Sequence, residues 1–494
     1  MSRSLPARFL AAAILVISGC ADANDPVRVL SRTVDALGGR DRVLGVTALL
    51  LDGEGENYNL GQNVLPDAEL PMFRVTEFRR TIDFENGRWR QEQMRTATFV
   101  TANTAPTPQI TALDGDVAFN VAPNGTATRL AETAAADRRK ELYYHPIGFL
   151  RAALAPGATL RYEARDSLHD VMHLDAAGGT YAMVIERATR LPVAITSPAA
   201  HGNLGDVVVE TRFADYADAG GVQLPMRLTT MLDRYMTADI RLTGATPGTA
   251  GAELEAPADV RSATPPAATV NVAVEDVAPG VWLLAGQSHH SVLIEFADHL
   301  LLVETPQSEA RTMAVIARAR ELRPEKPLRF AVNTHHHFDH SGGVRAAIAE
   351  GLTVVTHAAN TAFYGEIASR PWTIQPDALA GAPREPQIEG VDRLRVFQDA
   401  TRTVEVHTIE GNPHAGTLLM VYLPAERVLI EADVYTPPAA DAVNVPPAVF
   451  APNLAENIDR LNLRVDRIVP IHGRMVPMSM LENAATAAGS APVR

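Results

Sequence analysis

Cysteine is nearly absent from this 494-residue chain, which contains one, at position 20. A single cysteine excludes an internal disulfide framework. Basic charge is also short: 44 Lys and Arg face 58 Asp and Glu, a net charge of -14, with no basic stripe along the chain. Phosphate binding depends on clustered cations, so nucleic acid is not an expected partner. Long apolar runs are missing as well, since residues 9–17 form a stretch too short to span a bilayer. No short-period repeat is visible. What remains is ordinary: 46% hydrophobic and 21% charged residues, with mean hydropathy near zero, describe a chain that folds in water. At 494 residues it exceeds what one hydrophobic core usually organises, so two domains are expected.

Arg3 and Arg8 precede the apolar residues 9–17, the pattern of a secretory leader. Ile17-Ser18-Gly19-Cys20 resembles the bacterial lipoprotein box, in which small residues precede a cysteine that is lipidated and becomes the mature N-terminus. The resemblance implies a leader over residues 1–19 and a membrane partner reached through a lipid anchor on Cys20. Ala21, where an aspartate would signal inner-membrane retention, implies the outer membrane, facing the periplasm. A plain leader with an incidental cysteine is the simpler alternative.

Residues 27–37 have helical spacing and stop at Gly38-Gly39. Beyond them short alternating runs dominate, with Asn86-Gly87 placed as a hairpin turn between the runs holding Ile82 and Trp89. Further strands are expected over 181–186, 191–196, 207–213 and 222–228, in an antiparallel sheet curling around a core or a ligand. In texture, though not in motif, this β-rich region (20–245) resembles the curved-sheet domains of envelope lipoproteins. Residues 246–270, rich in Ala, Pro, Thr and Gly, read as a linker with little capacity to pack. From 271 to 494 strands (281–284, 291–296, 300–303, 330–333) alternate with a helix over 309–322, an α/β pattern.

The strand at 330–333 runs into His335-His336-His337-Phe338-Asp339-His340, followed by Gly342-Gly343. Imidazoles and a carboxylate are zinc ligands, and a loop at a strand's end lets alternate side chains converge. Four potential ligands within six residues are hard to explain by packing.

The pattern His335-x-His337-x-Asp339-His340 resembles the signature of metallo-β-lactamase-fold hydrolases. The resemblance implies an αβ/βα sandwich over 271–494, preceded by the mainly antiparallel β domain. It also implies further ligands at His414, Asp433 and His472, each beside a strand end. By the same resemblance His335, His337 and His414 hold one Zn2+, Asp339, His340 and His472 a second, and Asp433 lies between. Two such ions share a water and supply hydroxide near neutral pH, with Asp339 orienting it and passing a proton on. Family members that open β-lactam rings usually carry cysteine or serine where Asp433 stands, which directs the expectation to an ester, lactone or thioester of a small molecule. The alternatives are a β-lactamase, a mononuclear-iron persulfide dioxygenase, and a lipid- or glycan-binding lipoprotein whose α/β domain is a scaffold.

His336 is expected to pack or support the ligands. His289 and His290 border the pocket or serve the loop, and His357 and His407 are structural. Tyr435 is a candidate oxyanion donor. The β domain has three roles open to it: recruiting substrate, covering the metal cleft, or association. The oligomeric state is open.

Overall fold

The computed structural model of the chain describes residues 25–248, 251–266, 270–443 and 445–489. Cys20 and the leader lie outside the described residues. Among those described, no helix is long and apolar enough to cross a membrane.

Helix Pro26–Ala36 is started by Asp25, whose side chain accepts from the Val27 amide, and by a proline in its first turn, where an amide would have no intrahelical partner. It buries Val29, Leu30 and Val34 against a sheet of thirteen strands. The sheet is two meanders joined at the middle. The first runs outward from Ala48–Tyr58 to the edge strand Ala127–Arg129. Helices Glu132–Lys140 and Pro146–Ala153 lead to the opposite edge, Leu160–Ala164, and the second meander returns to Tyr235–Gly248. That strand pairs antiparallel with the first, from Ala48 opposite Gly248. The hairpin read at Asn86-Gly87 joins Met72–Asp83 to Arg88–Ala97. Gly87 has φ +64°, a conformation glycine adopts without steric cost, and Asp83 Oδ1 accepts from the Glu85 and Asn86 amides.

The segment 246–270 differs from the expected loose linker. Its first residues complete the strand ending at Gly248, and helix Ala258–Ser262 packs onto the sheet. Ala256 and Val260 are buried with Ala112 and Phe119, while Asp114 Oδ2 accepts from the Ala256 amide and the Arg261 guanidinium. Small apolar side chains read as linker in composition, yet here they fit closely under a strand.

The C-terminal domain has two sheets. One has seven strands, from Ala273–Ala278 to Ile388–Val391 in chain order, antiparallel at first and parallel from Leu300–Val303 onward. The other has six, from Leu394–Gln398 to Val476–Pro477. Their inner faces form one core, with Val292, Ile294, Val303 and Val332 packed among Val406, Val421, Ile430 and Val469. Helices cover the outer faces: Glu309–Leu322, Val344–Ala349 and Thr361–Ser369 on the first sheet, Ala451–Arg460 and Met478–Gly489 on the second. This is the αβ/βα sandwich expected from the sequence.

The two domains are packed together. Arg370 donates to the Leu204 and Asp206 carbonyls and to Asp233, and Arg234 pairs with Glu366 at 3.0 Å. Leu204 and Val207 of the β domain are buried in the cluster holding Trp282 and Leu293.

Candidate metal centre

Strand Leu328–Val332 delivers the chain to the histidine run, and buried Glu304 fixes the loop that follows. Its carboxylate accepts from Asn333 Nδ2 (2.9 Å), the Thr334 amide (3.1 Å) and the Thr334 hydroxyl (2.6 Å). Asn333 Nδ2 also donates to the His340 carbonyl at 2.8 Å, closing the loop on itself. His335, His337 and His340 are fully buried as a result.

Two groups of candidate ligands form there: His335, His337, His414 and Asp433 in one, and His289, Asp339, His340 and His472 in the other, with ligand atoms within 4.8 Å of one another in each. Asp433 touches both. Its Oδ2 lies 2.9 Å from His414 Nε2, 3.4 Å from His335 Nε2 and 3.1 Å from His340 Nε2, and its Oδ1 lies 2.8 Å from His472 Nε2. All seven residues singled out in the sequence as ligands are therefore brought together, and His289 joins them. The backbone at Asp433 is left-handed, φ +64°, and Glu431 Oε2 anchors the turn by accepting from the Val434 and Tyr435 amides, each at 3.1 Å. Burial pushes the Glu431 carboxyl up to about 8.

The hydrogen bonds decide which ring nitrogens face inward, because a carbonyl can only accept. His337 Nε2 donates to the Asn63 carbonyl (3.0 Å) and His472 Nδ1 to the Ser288 carbonyl (2.8 Å). His340 Nδ1 donates to Glu304 Oε2 (3.0 Å). The Thr334 hydroxyl spends its proton on Glu304, so it accepts from His335 Nδ1 at 3.0 Å. His335 and His337 thereby turn their other nitrogens inward as lone pairs, and these, His335 Nε2 and His337 Nδ1, are buried with no hydrogen-bond partner. Unpartnered inward nitrogens with oriented outer nitrogens are what a metal site requires. Burial, then the charge of His340, pushes His335 down to about 3, so its ring is neutral and able to ligate. Burial alone would raise Asp339, but the hydrogen bond from His289 and the charge of His340 outweigh it and hold the carboxyl well below its usual range.

Three contributors were not identified from the sequence, and a fourth was only partly read. Glu304 follows the all-apolar strand Leu300–Val303, and an acid at such a strand end is a signal that could have been read. His289 was placed only at the border; its Nε2 lies 3.2 Å from Asp339 Oδ2, and its carbonyl accepts from the buried Arg311 guanidinium. Gln62 and Asn63 come from the β domain. Gln62 Nε2 donates to Asp339 Oδ1 at 2.8 Å, beside the Asn63 contact to His337. Backbone bonds seat this loop, Phe338 N to the Gly61 carbonyl (3.1 Å) and Gly416 N to the Val64 carbonyl (2.8 Å). The β domain thus covers part of the metal cleft.

Other residues stay outside the two groups. His336 Nδ1 meets Thr417 Oγ1 at 2.8 Å, and His290 Nε2 donates to the Gly473 carbonyl at 2.9 Å. His357 accepts from the Ala359 amide and His407 pairs with Glu405. The Tyr435 hydroxyl donates to the Met480 carbonyl at 3.3 Å.

A two-sheet sandwich with two histidine and aspartate groups meeting at Asp433 defines an α/β domain with a candidate metal centre. Residues 285–472 match the metallo-beta-lactamase superfamily, and the C-terminal region is a domain of that superfamily of metal-dependent hydrolases. The chain is 25% identical over 222 residues to a linear primary-alkylsulfatase from a Pseudomonas species, an alignment covering 37% of this chain. It spans 41% of that relative's length. Among solved structures it is similar to a metallo-beta-lactamase from Pontibacter korlensis, with 17% identity and TM-score 0.36, over 45% of this chain and 100% of the other. It is also similar to the metallo-beta-lactamase FIM-1 from Pseudomonas aeruginosa in its mono-zinc form, with 20% identity and TM-score 0.36, over 46% and 98%.

Proposed function

We propose that the chain is a dinuclear zinc hydrolase that cleaves an acyl bond in an ester, lactone or thioester. The observation that carries this reading is Asp433, whose two oxygens reach histidines of both ligand groups. Bound zinc ions would supply hydroxide near neutral pH and polarise the scissile carbonyl. His335, His337 and His414 would hold the first ion, and Asp339, His340 and His472 the second, with His289 beside Asp339. Asp339 stays ionised and is fixed on both sides by Gln62 and His289, so it can orient the nucleophile by accepting its hydrogen bond. With the Tyr435 hydroxyl engaged by Met480, Tyr435 would have to leave that bond to donate to an oxyanion.

A sulfuric ester is the second reading, favoured by the similarity to the alkylsulfatase. The test is a substrate panel of esters, lactones, thioesters, a β-lactam and an alkyl sulfate, run on the zinc-loaded chain and on His337→Ala and Asp339→Ala. Acyl turnover lost in both variants is expected. Turnover that survives both substitutions excludes this site, and turnover confined to the alkyl sulfate replaces the acyl reading with the second.

We place the protein at the cell envelope on the strength of Ile17-Ser18-Gly19-Cys20. Fatty-acid labelling that Cys20→Ser does not abolish would refute that placement.

A further inference from the structure

Beside the first ligand group opens a cavity of about 1060 Å³, bordered by His414 and Asp433. That is as large as the pockets of about 300–1,000 Å³ that accept drug-sized ligands. Its walls come from both domains. Phe99 and Val100 belong to the loop after strand Arg88–Ala97 of the β domain, while Pro438, Phe450, Met480 and Ala484 belong to the C-terminal domain. Phe450 lies with its ring 5.5 Å from that of His414, so the apolar wall begins at a candidate ligand. Phe99 is held by an edge-to-face contact with Phe73 at 5.0 Å.

The charge of the walls is more informative than their size. Among the lining residues Asp433 is the only carboxylate, and there is no lysine or arginine. A substrate arm carrying a carboxylate, phosphate or sulfate would find no counter-charge along these walls, and burying such a group unpaired is costly. A hydrocarbon arm would lose water wherever it lies against these apolar walls. Val100 is 54% exposed, an apolar side chain left facing open space at this wall.

We propose that the substrate carries an uncharged apolar arm, a medium- or long-chain acyl or alkyl group, that lies in this cavity while its reacting bond sits at the metal centre. The inference rests on the metal-hydrolase reading and adds the substrate class. It also gives the β domain a second task, since Phe99 and Val100 help set which arm fits.

The test uses n-alkyl hydroxamates, whose head chelates the metal and whose tail samples the cavity. Affinities of acetyl, hexanoyl and decanoyl hydroxamate for the zinc-loaded full chain are measured by calorimetry. Each methylene that enters should tighten binding about threefold to fourfold, so decanoyl should exceed hexanoyl by at least about thirtyfold. Ala484→Trp, which projects an indole from the wall into the cavity, should cut that gain several-fold and leave acetyl binding unchanged. Val100→Asp, at an exposed position that folding tolerates, should weaken decanoyl binding selectively. Equal affinity for all three chains, or a gain that persists in both variants, overturns the proposal. A parallel series of p-nitrophenyl esters separates the two readings. No ester turnover with a steep hydroxamate series rejects the acyl chemistry and keeps the arm, whereas turnover that is flat with chain length, with flat hydroxamate binding, keeps the chemistry and rejects the arm.

Discussion

Replacing Gln62 by Ala removes a single hydrogen bond, donated across the domain boundary to Asp339 Oδ1 at 2.8 Å. A hydrogen bond to a charged group is worth about 1.5–3 kcal/mol when buried. The Asp339 side chain is 39% exposed, so water replaces part of the lost bond and about 1.4 kcal/mol is the reasonable share, a factor of ten in affinity. The loss should fall on the group containing Asp339, His340 and His472. Among the described residues the Gln62 side chain bonds to Asp339 and not to the other group, and the Asn63 contact to His337 uses a backbone carbonyl that the substitution leaves in place. Competition for zinc against a chromophoric chelator resolves the two affinities. One should weaken about tenfold and the other by less than about twofold. Two unchanged affinities would show that the β-domain loop only lies against the site, and equal losses in both would show that the loop acts by general packing.

Gly61→Ala should be more damaging, because a Cβ there would meet the Phe338 ring at 2.2 Å and the backbone has φ +78°; zinc content after dialysis should fall at both groups, and wild-type content would refute the proposed seating of the loop. Glu304→Ala strips acceptors from Asn333, Thr334 and His340 in a fully buried position. It should lower stability by about 2–3 kcal/mol in urea unfolding of the metal-free chain, and a loss within about 0.5 kcal/mol would contradict the role given to it. His145, in the β domain, is buried and pushed down to about 3 by desolvation and the charge of Arg80. The unfolded ring titrates near 6.5, so its contribution to stability is complete above about pH 6.5 and is lost as pH falls from there toward 3. By pH 5 the loss should be about 2 kcal/mol. His145 Nδ1 accepts from the Ile147 amide, a capping role asparagine can fill, so His145→Asn should flatten the stability profile between pH 5 and 7; an unchanged slope would assign it to other groups.

The histidine run was legible in the sequence because it is local, whereas His414, Asp433 and His472 were reached only through the resemblance to metallo-β-lactamase-fold hydrolases. His335 to His340 form one contiguous run, and His414, Asp433 and His472 follow or precede short apolar strands. The residues that orient them were not legible, because their partners are distant along the chain. Gln62 meets Asp339 and Asn63 meets His337 only once the two domains are packed. The same holds for the joining of the two meanders, where Ala48 pairs with Gly248 and no local signal names its partner. Composition misled at 246–270, where alanine and proline suggested slack and Ala256 and Val260 are instead packed.

The claim that two ions act together at this centre is tested most directly by titrating the metal-stripped full chain with zinc while following hydrolysis of an acyl substrate. Turnover should climb until two equivalents are bound and then level off, because Asp433 contacts ligands of both groups. A plateau at one equivalent, or turnover that requires iron and not zinc, would contradict it.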